Sequence, residues 1–204
     1  MQLRFHYENT SEEYVRTKAW QSATLEHCPL CGREPGEGFS CHTAYERKQP
    51  AGALIARYYC KPCQTTFSLL PDCIAARFSN SLDEIENVVV TVEKASSFED
   101  AAFELRPDLK ESGRRRWVRR RVNRVRLMLS IVATLGVLTT TPRELTVTAL
   151  RDELGTDRAL VVLRPLVNEH IAHLPTPVGF CRHHESAWKK PKRLQHKVGP
   201  DPPP

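Results

Sequence analysis

The rhythm of apolar and polar positions changes along the chain. Up to about Pro71 apolar residues come in short alternating runs broken by Cys, Pro and Gly, the pattern of β-hairpins rather than long helices. Phe39 to Arg47 and Ala53 to Tyr59 are predicted to pair across a turn at Gln49-Pro50-Ala51-Gly52. From Ser81 the spacing lengthens. Leu82, Ile85, Val88, Val89 and Val92 recur at helical intervals, and Ser81 with Glu84 has the signature of a capping box. The β-branched run Val88 to Val92 argues for a strand over the same residues, so period and propensity disagree there.

A second short helix is predicted after Ser97, with Phe98, Ala101, Ala102 and Leu105 as its apolar side and Pro107 as its stop. A third begins near Ser112. Its stripe is Val118, Val122, Val125 and Leu129, and its arginines lie mostly off that stripe, giving a helix-turn-helix pattern. Thr141-Pro142-Arg143-Glu144 starts another predicted helix, closed by Gly155. A last one is expected from about Thr156 towards His170, kinked or divided at Pro165. The Lys- and Pro-rich tail after Lys189 reads as disordered.

These elements amount to an α+β protein: small β-hairpins followed by a mostly helical region. The expected segments are 1–24 as an N-terminal extension, 25–80, 81–130, 131–188 and the tail 189–204. Length (204 residues) and hydrophobic content (40%) suit one ordinary domain or two small ones. The formal charge of +6 is unevenly placed. Residues 1–80 sum to +1, 81–112 to −6, 113–130 to +8 and 131–204 to +3, so one acidic segment runs directly into one basic segment. The first twenty residues carry six charged side chains and no apolar core of a leader, which points to a cytoplasmic, reducing setting. Leu127 to Leu138, the longest apolar stretch, falls short of the ~20 residues a bilayer span needs. No membrane association is expected.

In that setting the seven cysteines take on meaning. Cys28-Pro29-Leu30-Cys31 and Cys60-Lys61-Pro62-Cys63 are two Cys-x-x-Cys pairs 28 residues apart. Each can form a knuckle that points two thiolates at one ion, and a hairpin that joins the knuckles completes a tetrahedral site for one structural Zn²⁺. Gly32 suits the positive φ often needed after a knuckle; Gln64 stands at the equivalent place in the second. Disulfides or merely buried thiols are the competing readings. A reducing compartment disfavours the first, and a thioredoxin-type pair would need a βαβ background that is absent. Cys41-His42 and His27 are not arranged as a pair, Cys73 and Cys181 read as free thiols, and Cys181-Arg182-His183-His184 would be at most a weak metal cluster. Four sulfurs leave no coordination position for substrate, so the ion implies folding and not catalysis.

The second candidate is the basic segment. Arg114, Arg115, Arg116, Arg119, Arg120, Arg121, Arg124 and Arg126 fall within thirteen residues that contain no acid. Like charges at i, i+4 repel on a helix, so a polyanion would relieve a real cost, and Arg suits bidentate contacts with phosphate or guanine. The competing readings are a solvated face, a clamp against Asp83, Glu84 and Glu86, or, for Trp117, a core residue rather than a stacking one. Lys189, Lys190, Lys192, Arg193 and Lys197 could add phosphate contacts or only keep the tail soluble.

Cys28-Pro29-Leu30-Cys31-Gly32, Arg57-Tyr58-Tyr59-Cys60-Lys61-Pro62-Cys63 and Thr66-Phe67-Ser68-Leu69-Leu70-Pro71 resemble the zinc-ribbon front end of bacterial insertion-sequence transposases and transposase-like proteins. The segment Ser97 to Leu105 and Arg115-Arg116-Trp117 look like that group's helix-turn-helix, so the resemblance covers roughly residues 25–126. It implies DNA binding. A full transposase would add an RNase H-like domain with three metal-binding carboxylates, but only about 75 residues follow and Asp152, Asp157 and Glu169 read as ordinary helix residues. The expectation is a zinc-stabilised DNA-binding protein with no chemistry and no small-molecule substrate. The alternatives are an adaptor that docks a transposase or polymerase-type protein, or forms a homodimer, through the ribbon and the apolar 127–138 segment, and an enzyme fragment that needs a separate catalytic chain.

Overall fold

The computed structural model describes residues 1–138 and 146–181. The fold is α+β, with one four-stranded sheet and, among the described residues, six helices. The expected hairpin forms as β2 (Phe39–Glu46) and β3 (Leu54–Cys60), antiparallel with Phe39 opposite Cys60. β4 (Thr65–Pro71) follows after a tight turn and pairs antiparallel with β3. β1 (Gln2–Phe5) then adds parallel to β4, so the order is β1-β4-β3-β2.

The segment expected to be an N-terminal extension is therefore part of the sheet. After β1 comes α1 (Ser11–Arg16), capped by the Thr10 side chain. Its Tyr14 is wholly buried and donates its hydroxyl to the Leu54 carbonyl at 2.8 Å. Nothing local announces this, because a four-residue strand finds its partner some 66 positions away.

α2 (Leu82–Lys94) resolves the conflict over Val88 to Val92 in favour of helix. Both halves of the capping box form: Ser81 Oγ accepts from the Glu84 N–H at 3.1 Å, and Glu84 accepts from the Ser81 N–H at 2.7 Å. Leu82, Ile85, Val88 and Val89 are buried together, so the 3.6-residue period and the cap outweigh β-branched propensity. α3 (Phe98–Leu105) is capped by Ser97, and α4 (Glu111–Val132) buries Val118, Val122, Val125 and Leu129.

α5 (Val147–Leu154) is capped by Thr146 and ends at Gly155 in the left-handed conformation, φ +60°. The start expected at Thr141 to Glu144 lies outside the described residues. α6 (Ala159–Leu166) accommodates Pro165 within its last turn and continues into a 3₁₀ turn at Asn168–His170. Both helices begin on carboxylates supplied by α2. Glu93 accepts the N–H groups of Val147 and Thr148 at 3.0 and 2.9 Å; Glu86 accepts those of Ala159 and Leu160 at 3.0 and 2.7 Å and pairs with Arg151 at 2.6 Å. Residues seven apart share a helix face, so one side of α2 docks both C-terminal helices.

The boundaries expected near residues 80 and 130 fall inside shared packing. Ile171 and Phe180 join Tyr14, Ile55, Leu70 and Ile74 in a core beside the sheet. The fully buried Arg164 donates to five carbonyls: Pro71 at the end of β4, Asp72 and Ile74 just after it, and Pro177 and Val178 near the end of the described chain, at 2.8 to 3.1 Å.

Candidate metal centre and basic helix face

The β2–β3 hairpin explains the long interval between the two cysteine pairs. Cys28 and Cys31 stand in the loop before the hairpin, Cys60 ends β3, and Cys63 sits in the turn to β4. Each knuckle closes on a residue with positive φ: Gly32 at +73°, its N–H donating to the Cys28 carbonyl at 2.8 Å, and Gln64 at +49°, its N–H donating to Lys61 at 3.2 Å. Gly38, ahead of β2, is held against the second knuckle, accepting from the Lys61 N–H at 2.7 Å; its φ is +84°, and a Cβ there would meet Pro62 at 3.3 Å.

The four sulfurs all lie within 4.8 Å of one another, with Cys28 to Cys63 at 3.9 Å and Cys31 to Cys60 at 3.7 Å. Four sulfurs at ~2.3 Å from a common tetrahedral centre stand about 3.8 Å apart, so the donor set fits one metal ion. Among the described residues it is the one group of three or more His, Cys, Asp or Glu so placed. Cys28 and Cys60 are buried beside Phe39, Tyr58 and Phe67, while Cys31 faces solvent.

Cys28, Cys60 and Cys63 perturb one another. Burial works to raise Cys28, but the N–H groups of Leu30 and Cys31 outweigh it and bring that thiol down to about 7. The Cys31 thiol, followed by burial, pushes Cys63 up to about 12, and burial raises Cys60. The Cys28 thiolate forms readily and its charge opposes that of Cys63, so a fourfold deprotonated set calls for a cation at its centre.

The other sulfur and imidazole candidates stay apart. Cys41 and His42 are exposed on β2, and His27 is exposed beside the first knuckle. Cys73 is buried against Tyr14 and Ile74, and burial pushes it up to about 12. Cys181 is half-buried; Arg182 to His184, and the lysines after them, lie outside the described residues. Asp152, Asp157 and Glu169 are separately exposed and form no carboxylate triad.

α4 sorts its eight arginines into three groups. Arg116, Arg119, Arg120 and Arg126 are exposed on one side of the helix together with Asn123. Arg119 and Arg120 lie over the rings of Phe98 and Phe78, each at 5.7 Å. Arg114 and Arg115 are half-buried against α3, Arg114 over Phe103 at 4.9 Å and Arg115 paired with Glu99 at 3.1 Å and Glu111 at 3.4 Å. An open depression along the helix is lined by Lys110, Glu111, Arg115, Arg116, Arg119 and Arg120.

Arg121 and Arg124 turn inward, a correction to reading the eight as one contact surface. Arg121 is only 6% exposed, lies over the Trp117 ring at 3.5 Å and bonds the Asn80 side chain. Its place was readable: residue 121 stands three after Val118 and four before Val125, in the apolar stripe. Trp117 is half-buried and packs on the helical core. The acidic clamp does not form with α4. Asp83 pairs with Arg158 at 3.3 Å, Glu84 caps its own helix and Glu86 holds α6.

No helix among the described residues is long and apolar enough to cross a membrane. Scans against protein-family models and searches of curated proteins and solved structures find no match to this chain.

Proposed function

We propose that the chain is a zinc-stabilised DNA-binding protein, transposase-like or transcription-regulator-like, with no catalytic site of its own. In this reading Cys28, Cys31, Cys60 and Cys63 hold one structural Zn²⁺ at the tip of a zinc ribbon. Soft thiolates favour Zn²⁺ over oxygen-seeking cations, and a closed four-sulfur shell serves folding. α2, α3 and α4 act as a helix-turn-helix whose last helix meets the duplex, in a reducing cytoplasm that keeps the thiols available.

One observation carries the reading: Arg116, Arg119, Arg120 and Arg126 share an exposed face while the acids of α2 are committed elsewhere. Such a face lowers its own repulsion by meeting phosphates. If about four phosphates are neutralised, log K falls with log salt at a slope of about −3.6, roughly a 150-fold loss between 50 and 200 mM. Titration of a duplex across salt tests this. Arg116→Ala or Arg126→Ala should flatten the slope by about one each, and a flat wild-type response would refute the proposal.

A second reading, a protein-docking adaptor, draws on the exposed Leu30 at the first knuckle and Leu127 on α4. It predicts a complex that persists at moderate salt.

A further inference from the structure

The loop between β4 and α2 is surrounded by guanidinium groups, and its one carboxylate, Asp72, is already paired with Arg4 at 2.7 Å. Arg47 donates to the carbonyls of Ala75 and Phe78, Arg120 lies over the Phe78 ring, Arg121 bonds Asn80, and Arg77 within the loop is exposed with φ +58°. Arg124, three residues on from Arg121, lies on the same side of α4.

Three buried donors in this neighbourhood have no hydrogen-bond partner: Arg47 Nε, Arg121 Nε and Arg124 Nη1. Buried charges are normally paired, and buried donors are normally satisfied. Arg121 instead has neutral partners, the Trp117 carbonyl at 3.2 Å and Asn80. The charges that act on it most are Arg106 and Arg120, both of which, after burial itself, work against its protonation. The opposing charge that acts on it is Glu84, whose carboxylate is occupied in the capping box. Arg124 is likewise disfavoured first by burial and then by Arg120. Several cations held together with spare N–H groups, with no carboxylate among the described residues bonded to Arg47, Arg121 or Arg124, is the arrangement of a site awaiting an anion, and the guanidinium fork matches tetrahedral oxyanions.

We propose that Arg120, Arg121 and Arg124, with the loop at residues 75–80, form a second binding site that takes a phosphate-type oxyanion. The site shares Arg120 with the exposed arginine face, its other two arginines turn inward, and it does not depend on that face binding a duplex. The same chemistry could be presented by a free phosphate-bearing ligand or by one backbone phosphate of a nucleic acid.

The test uses the full zinc-loaded chain in chloride buffer at constant ionic strength, titrated with inorganic phosphate and separately with sulfate. Saturable binding by calorimetry, with a rise in thermal midpoint beyond the chloride control, is expected. Arg124 makes no hydrogen bond through its buried Nη1, so Arg124→Gln should fold; it should weaken phosphate binding at least fivefold, whereas Arg126→Gln on the outer face should not. Absence of saturable binding in the wild type, or an Arg124→Gln protein that binds phosphate as the wild type does, overturns the site. A duplex titration distinguishes the sources. Phosphate that competes with the duplex, with both weakened by Arg124→Gln, identifies the backbone; duplex affinity untouched by Arg124→Gln identifies a free phosphate-bearing ligand. A flat salt response with the duplex would sink the DNA-binding proposal while leaving this one standing.

Discussion

Arg164 offers the sharpest test of how the two ends of the described chain are held together. Replacing it with Met keeps much of the volume and removes every donor. Of its five carbonyl partners, Pro71 and Pro177 also accept backbone N–H groups, from Ile74 at 3.1 Å and Ala76 at 2.8 Å. The carbonyls of Asp72, Ile74 and Val178 depend on the guanidinium. Orphaning a buried acceptor costs about 1–3 kcal/mol, so three cost about 3–9 kcal/mol. Against this stands the relief of no longer burying a cation, whose pKa burial itself pulls down to about 10. That relief is worth about 3 kcal/mol, so the middle of the range leaves a net loss of about 3 kcal/mol. On a total stability of about 5–15 kcal/mol this is a large fraction. Urea unfolding at fixed zinc, followed by far-UV circular dichroism, should show the midpoint falling with little change in slope, and Arg164→Lys, whose three donors sit on one compact ammonium that cannot span carbonyls on both loops, should fall between the two. An Arg164→Met protein within 1 kcal/mol of the wild type would refute the reasoning.

Other perturbations probe the metal centre and the helix junctions. Chelation should release one equivalent of zinc, expose four reactive thiols and unfold the knuckles, whereas Cys41→Ser should leave the zinc content at one; metal analysis with thiol titration reads both. Gly38→Ala forces a left-handed L-residue against Pro62 and should cost about 1–2 kcal/mol, seen as a lowered thermal midpoint of the zinc-loaded protein. Burial raises the Glu86 carboxyl above its ordinary 4.5, so in the folded state it resists ionising. Its contribution to stability is therefore full below pH 4.5 and declines as pH rises through the elevated value. The stability difference between the wild type and Glu86→Gln should shrink over that range; a difference constant from pH 4 to 8 would contradict the assignment.

What could be read in the chain was what is encoded locally. The knuckles, the β2–β3 turn, and the Ser81 and Ser97 caps each depend on residues within a few positions of one another, and all four appear in the structure. β1 could not be read, because its four residues acquire meaning only through β4. The roles of Glu86 and Glu93 were hidden for a related reason: a carboxylate that caps another helix has the same local signature as a solvated one. Arg164 carries a charge in an apolar helix and would ordinarily be placed at the surface; only the carbonyls of two distant loops explain its burial. The arginine run was legible as a helix but not as three differently employed faces, since cation–π and backbone partners come from α3 and the loop before α2.

The placement of Arg164 also sets an order of events during synthesis. All four cysteines have been translated once residue 63 is made, whereas the side chain that fastens the loop after β4 is 101 positions further on. At roughly 5–20 residues per second, the nascent protein spends about 5–20 s with its sulfurs able to capture an ion and that loop still unfastened. Metal supply in the cell would thus act on the ribosome-bound chain, before its C-terminal half exists to help.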